Sequence, residues 1–228
     1  MLKKNTFILS LGGSLIVPNE VDFQFVKKFK KLIEKKVSEG NKFIIVCGGG
    51  GLNRKYNEAG KKIRKLSNDE LDWIGIYATR YNAQFIKIMF GDLAHNEIII
   101  NPHKKNSTKK PIMIGAGYKP GWSSDYDAVY LAKTYGAKKV ANLSNIDFAY
   151  DKDPKKYKSA VPIKSIDWRG FRKIVGDKWE PRMNKPFDPI ASREAEKLGL
   201  EVAILNGKKL KNLENYLDGD KFTGTIIL

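Results

Sequence analysis

Residues 43–51, Phe43-Ile44-Ile45-Val46-Cys47-Gly48-Gly49-Gly50-Gly51, decide how this chain folds. A short aromatic and β-branched run bounded by glycine reads as a buried strand, and four glycines let the backbone turn at once. Residues 52–66 then read as a helix, so the unit is strand, glycine turn, helix. Upstream, residues 6–11 form a second apolar run that stops at Gly12-Gly13-Ser14. Between the two, Phe23, Val26, Phe29, Ile33 and Val37 recur at helical spacing over 22–39, and Gly40 ends that helix.

The alternation continues downstream. Residues 69–90 read as a helix, 98–100 as a weak strand, 103–110 as a polar loop and 111–114 as a strand. A Gly/Pro-rich stretch, 115–124, follows, and Asp125 is expected to cap a helix to about residue 135. Then come a strand at 138–143, a helix at 167–175 and a long irregular connection over 176–187. Asp188-Pro189 opens a further helix by cap and first-turn proline. A strand at 201–205, a helix at 210–217 and a strand at 223–227 complete the pattern. Strands alternating with helices predict an α/β fold, a three-layer α/β/α sandwich with a largely parallel central sheet. No repeat or composition break divides the 228 residues, so one domain spanning 1–228 is expected.

Composition narrows the function classes. No run approaches the roughly 20 apolar residues of a membrane span, and nothing in Met1-Leu2-Lys3-Lys4-Asn5 reads as a cleavable signal. One cysteine excludes an internal disulfide and fits a reducing, cytoplasmic setting. The net charge of +17 comes from lysines spread in pairs such as Lys27-Lys28, Lys61-Lys62 and Lys155-Lys156. Such runs are mostly solvated helix faces; they favour anionic ligands without choosing among them. Aromatics are not interleaved with them as a nucleic-acid stacking platform requires, so no specific nucleic-acid partner is expected.

Glycine-rich turns after three strands (Gly12-Gly13-Ser14, 48–51 and 115–124) point to ligands beyond the carboxyl ends of a sheet. Glycine admits close approach of phosphate oxygens, and a following helix N-terminus offers N–H groups and partial positive charge. The second turn runs into a helix carrying Arg54 and Lys55. Each turn alone is also explicable as a tight connection. There is no GxxxxGK[ST], and Gly115-Ala116-Gly117 meets Pro120 where the last glycine of GxGxxG belongs, which argues against P-loop and dinucleotide folds. The stretch 144–154, Ser-Asn-Ile-Asp-Phe-Ala-Tyr-Asp-Lys-Asp-Pro, offers a hydroxyl, an amide, an aromatic and carboxylates just after a strand. These groups suit a nucleotide or a metal-bound triphosphate; the same stretch also reads as a surface hairpin with Asx turns.

Taken in order, these segments resemble the amino-acid-kinase superfamily, and within it the archaeal-type uridylate (UMP) kinase branch. They are Gly12-Gly13-Ser14, Gly48-Gly49-Gly50 with Arg54, Asp72-x-x-Gly75 with Ala78-Thr79-Arg80-x-Asn82-Ala83, Pro120-Gly121-x-Ser123-Ser124-Asp125, and Asn145-x-Asp147-x-x-Tyr150-x-x-Asp153-Pro154. Asp188-Pro189 and Gly224-Thr225 resemble it too. The resemblance implies an amino-acid-kinase fold, with an acceptor-side lobe mainly at 1–135 and an ATP-side lobe mainly at 136–228. It implies phosphoryl transfer from ATP, with Mg²⁺, to UMP in pyrimidine nucleotide synthesis, and a homo-oligomer, a hexamer in this family. It implies no metal held by the protein's own side chains.

By the same resemblance UMP is held by Gly49, by Asp72 through the ribose hydroxyls, and by the loop of Tyr118, Lys119, Pro120, Gly121, Trp122, Ser123 and Ser124. ATP falls to Gly13, Ser14, Gly50, Arg54, Ser144, Asn145, Tyr150 and Asp153. Asp147 is the acid that orients Mg²⁺ or the backbone loops. Asp147, Arg54 and Lys119 form the expected catalytic set.

The chain departs from the branch at three places. Many relatives carry a lysine where this chain has Ser10; Lys119 and Lys185 are candidates for the missing cation. Phe148 replaces a usual glycine and Tyr118 a usual threonine, which keeps open another small phosphate or carboxylate acceptor such as isopentenyl phosphate. Ser10 keeps open a nucleotide-binding regulator or storage protein without catalysis. His95 and His103 read as surface histidines, Cys47 as a small core residue, Trp73, Ile76 and Tyr77 as helix packing with a possible subunit contact, and Trp179 as a lid or interface residue.

Overall fold

The computed structural model describes residues 5–154, 156–178 and 185–228; Met1 to Lys4, Lys155 and Trp179 lie outside the described residues. In chain order the elements are β1 (Thr6–Leu11), α1 (Gly13–Ile16), α2 (Phe23–Ser38), β2 (Lys42–Cys47), α3 (Gly50–Ile63), α4 (Asn68–Phe90), β3 (Ile112–Gly115) and α5 (Ser124–Tyr135). There follow β4 (Lys139–Ser144), β5 (Ala149–Tyr150), β6 (Pro162–Ile163), β7 (Ser165–Ile166), α6 (Trp168–Val175), α7 (Pro189–Lys197), β8 (Glu201–Asn206), α8 (Leu210–Asp218) and β9 (Thr225–Ile227).

Seven strands form one sheet in the order β3-β2-β1-β4-β8-β9-β7, and β5 and β6 form a separate antiparallel pair. β3, β2, β1, β4 and β8 are mutually parallel. β9 runs antiparallel to β8, and β7 parallel to β9. The period-two alternation of each strand divides the core between the two faces. Leu9, Phe43, Ile45, Ile114, Leu143 and Leu205 pack with α1, α2, α4 and α8. Ile8, Ile44, Val46, Val140, Val202 and Ile204 pack with α5, α6 and α7. The expected three-layer α/β/α sandwich with a largely parallel sheet is therefore what the chain forms, and its one long helix, α4, starts with a capping box of Ser67 and Glu70. No described helix is long and apolar enough to cross a membrane.

Three local expectations change. Residues 98–100 form no strand; Ile99 makes a single parallel bridge to Gly115, since too little chain is available to extend the ladder. Ser123, not Asp125, caps α5, its side chain accepting from the Tyr126 N–H at 3.2 Å, because Asp125 is drawn inward to Ser10. Ile76 is buried helix packing, but Trp73 and Tyr77 are exposed, with the Arg80 guanidinium stacked over both rings.

Candidate active site

The carboxyl ends of the five parallel strands share one rim, and β1 is the point where the order reverses: β2 and β3 lie on one side of it, β4 and β8 on the other. Open α/β sheets collect ligands at such a crevice. The first two glycine turns meet there as a single structure. The Gly48 N–H donates to the Leu11 carbonyl and the Gly12 N–H to the Leu143 carbonyl, both at 2.9 Å. A Cβ on Gly13 would run into the Gly50 N, and one on Gly50, whose φ is +60°, into the Gly13 carbonyl. Only glycine satisfies both positions. Asn82, buried on α4, donates to the carbonyls of Gly48 (2.8 Å) and Gly49 (3.2 Å) and fixes the second turn from below. Gly207, after β8, donates to the Ser144 carbonyl, which brings the 144–154 segment to the same rim.

Beside this junction lies a cleft of about 180 Å³. Of the expected UMP residues, Gly49, Asp72, Trp122, Ser123 and Ser124 line it. Gly121 reaches it indirectly: its N–H donates to Asp72 Oδ2 at 2.8 Å, so Asp72 holds the loop. Burial, opposed by that bond, holds the Asp72 carboxyl above its ordinary value. Thr79 Oγ1 accepts from the Gly117 N–H at 2.8 Å, and Arg80 donates to the carbonyls of Gly117 and Tyr118. Tyr118 turns its bulk away into an aromatic cluster with His103 and Trp122, which Tyr126 and Tyr130 extend. Lys119 lies over the Trp122 ring, its Nζ 4.7 Å from the centroid. Pro120 occupies the turn between Lys119 and Gly121. His103 is exposed, as a surface histidine should be, and its ring packs edge-on to Tyr130 at 4.5 Å, a contact no local pattern announces.

Of the expected ATP residues, Gly13 and Gly50 form the junction itself, Arg54 lies on α3 beside the cleft, and Ser144, Asn145, Tyr150 and Asp153 follow β4 on the other side. Gly13 and Ser14 begin α1, and Gly50 begins α3, where the Gly51 N–H is already given to the Val17 carbonyl at 2.6 Å. Arg54 donates to the Pro18 carbonyl. Ser144 ends β4, and its Oγ accepts from the Ile146 N–H. Asn145 is exposed. Tyr150 lies in the β5–β6 pair, so the segment is partly the hairpin that its turn residues also suggested. The carbonyl of Asp153 accepts from the Lys156 and Tyr157 N–H groups. Asp147 pairs with Lys209 at 2.8 Å and accepts from Asn206; the Lys209 bond, then Asn206, holds its carboxyl low against some burial. Lys185 donates to the Ile174 carbonyl at 3.4 Å. Cys47 is buried, and burial raises its thiol pKa well above its ordinary value.

Behind the rim, Ser10, Asp125 and Asp188, which the sequence singled out for separate reasons, meet in one group with Asn142. Ser10 Oγ donates to Asp125 Oδ1 at 2.9 Å, Asn142 reaches the same oxygen at 3.4 Å, and the Asp188 N–H reaches Oδ2 at 3.3 Å. Burial, then the neighbouring Asp188 charge, pushes the Asp125 carboxyl up to about 7. Asp127, opposite the Tyr118 N–H and Arg80, is also raised well above the carboxylate range by burial. The available signal was Ser10 and Asn142 at paired positions on neighbouring strands, two polar residues facing the same helical layer.

The profile of the amino acid kinase family matches residues 5–206. A uridylate kinase of Staphylothermus marinus is 32% identical over 225 residues, covering 98% of each chain. One from Methanospirillum hungatei is 29% identical over 229 residues, covering 97% of this chain and 94% of its own. The crystal structure of uridylate kinase from Archaeoglobus fulgidus matches with a TM-score of 0.81 at 28% identity, over 99% of this chain and 100% of that one. A parallel sheet whose joined glycine turns face a cleft on one side and the 144–154 segment on the other, matched over nearly its full length, places the chain in the amino acid kinase family.

Proposed function

We propose that this chain is a UMP kinase, an ATP-dependent phosphotransferase that converts UMP and ATP to UDP and ADP in pyrimidine nucleotide synthesis. The observation that carries the reading is the junction of Gly13 and Gly50, which separates a lined cleft from the 144–154 segment and leaves one shared place for phosphates. The likeness to several uridylate kinases supports UMP as the acceptor. Tyr118 is compatible with it, since it does not itself line the cleft and its ring packs on His103 and on the lining residue Trp122.

In this reading the lobe of 1–135 holds UMP and that of 136–228 holds ATP, within one domain. Gly49, Asp72 and the 118–124 loop orient UMP, with its phosphate toward the α3 N-terminus. Gly13, Ser14, Gly50 and Arg54 steady the ATP phosphates, while Ser144, Asn145, Tyr150 and Asp153 take adenosine. A UMP phosphate oxygen forms the new bond to the γ-phosphorus as the bond to the β–γ bridging oxygen breaks, and its electron pair stays on ADP. No general base is required, so positioning and backbone N–H groups supply the catalysis. Among the described residues no group of three or more His, Cys, Asp or Glu side chains is built to hold an ion. We assign Mg²⁺ to the nucleotide's own phosphates. The exposed stripe of Trp73, Tyr77, Tyr81, Ile88 and Met89 on α4 supports a homo-oligomer, a hexamer by likeness to the family. We assign the protein to the cytoplasm, with no membrane or specific nucleic-acid partner.

A coupled assay tests this. With Mg-ATP, UMP should be phosphorylated faster than CMP, AMP or isopentenyl phosphate. Asp72→Ala should raise the UMP KM about tenfold or more, the size expected for losing a charged hydrogen bond, and leave the ATP KM nearly unchanged. Equal effects on both would misplace the acceptor. Tight ATP binding with no turnover on any acceptor would favour the regulator that Ser10 suggests.

A further inference from the structure

The cleft contains a polar pair that no family resemblance assigned. Asn53 and Asn57 lie one turn apart on α3, and both line the cleft. Asn57 is buried, 2% exposed. Its Nδ2 donates to the Leu71 carbonyl at 3.4 Å and to Asn53 Oδ1. A carbonyl only accepts, so Leu71 fixes which end of the Asn57 amide is nitrogen, and Asn57 in turn fixes which end of the Asn53 amide is oxygen. Among the described residues the side-chain N–H groups of Asn53 have no protein acceptor, while its backbone N–H is given to the Gly49 carbonyl. The Asn53 amide lies against Gly75, where an added Cβ would come within 3.3 Å of Nδ2, and its Cβ lies beside Gly49. It is therefore a donor of fixed orientation in the wall of the cleft, next to the start of a helix and close to Asp72.

An unspent donor in such a place matches an oxygen on the ligand. We infer that Asn53 is a binding residue for the acceptor nucleotide, donating to an oxygen of its sugar–phosphate end, with Asn57 a positioning residue that keeps the Asn53 N–H turned toward the cleft. The inference rests on reading this cleft as the acceptor site. Asp72 accepts and Asn53 donates, so the pair discriminates against ligands lacking either kind of partner.

Calorimetric titration of the full chain with UMP, dUMP and uridine tests it, beside UMP kinetics. Asn53→Ala should weaken UMP about tenfold, and Asn53→Asp, which sets a carboxylate against an anionic ligand, at least as much. The ATP KM should change less than about twofold. Loss confined to UMP and dUMP identifies the phosphate oxygen; convergence of UMP with dUMP identifies the ribose. Asn57→Leu should match Asn53→Ala, and the double variant should be no worse than either, a coupling that general loosening of the helix does not produce. If Asn57→Leu fails to fold, the two Asn53 variants decide alone, since Asn53 is only half-buried and alanine suits a helix. Unchanged UMP affinity in both Asn53 variants overturns the inference and leaves the kinase reading standing. A parent protein that binds none of the three ligands overturns both.

Discussion

The two sides of the junction are hung on the same device, one buried threonine hydroxyl each. Thr79 Oγ1 accepts from the Gly117 N–H and donates to the Ile76 carbonyl. Thr225 Oγ1 accepts from the Ala149 N–H at 2.9 Å and donates to the Ile163 carbonyl. Beyond that the sides diverge. The acceptor loop is further tied by Arg80, by Asp72 and by a continuous aromatic cluster. The donor-side segment adds a two-residue strand pair and the half-exposed Asp147–Lys209 contact. Geometry built before a ligand arrives lowers the ordering cost of binding. The side of the 115–124 loop, which we propose takes the acceptor, thus has its groups in place in advance, and the side of the 144–154 segment has fewer of them fixed.

The junction common to both sides should be the least forgiving. Gly50→Ala is expected to cost more than about 4 kcal/mol, because a left-handed φ and a backbone collision coincide there. Gly121→Ala, at φ +79° with nothing within 4 Å, should cost only about 1 kcal/mol. Urea midpoints compare them; similar losses would mean that the two glycine turns are not locked together.

The seam between α5, β1 and α7 should show itself through pH. Asp125 moves from an ordinary value of 3.8 to about 7 in the fold, with Ser10, Asn142, Asp188 and Asp127 as its neighbours. The native state then binds more protons than the unfolded one across that interval, so stability falls as pH rises from about 4 to about 7 and levels off above it. The effect is roughly 4 kcal/mol at most. Asp125→Asn, whose amide can face Ser10 and whose oxygen can face the Asp188 N–H, should flatten that slope. Parallel stability–pH curves for the two proteins would exclude a buried, proton-holding Asp125.

The matched threonines give the finest test. Thr79→Val and Thr225→Val preserve shape and remove both hydrogen bonds, each at about 1–2 kcal/mol. Thr79→Val should raise the UMP KM about twofold and Thr225→Val the ATP KM about fivefold, with little effect on the other nucleotide. Thr79→Val should be the milder for binding, since Arg80 and Asp72 still hold the loop. A larger effect at Thr79 would reverse the contrast drawn here.

Sequence reasoning reached the parallel core because β1, β2 and β4 are apolar runs stopped by glycine or polar residues, a local signal with one physical cause. It reached the rim for the same reason: glycine pairs are needed where two backbones touch. It assigned the α5 cap to Asp125 because Ser123 and Asp125 are both good caps; the choice was made by Ser10, 115 residues away in the chain. The direction of β9 was equally unreadable, since Thr-Ile-Ile suits either orientation. Asn53 and Asn57 carried a usable signal, two asparagines one helical turn apart, but only Leu71 and Gly75 from the next helix give the pair a direction.

The placing of β9 between β8 and β7 has a consequence for how the protein is made. Among the described residues β7 pairs only with β9, about sixty residues later in the chain, and Thr225 of that strand also secures Ala149. During vectorial synthesis at about 5–20 residues per second, β9 emerges after every other strand of this sheet, so β7 waits for its neighbour until then. A chain cut before residue 225 would leave β7 off the sheet, the Ala149 N–H without its acceptor and the edge of β8 open to other strands.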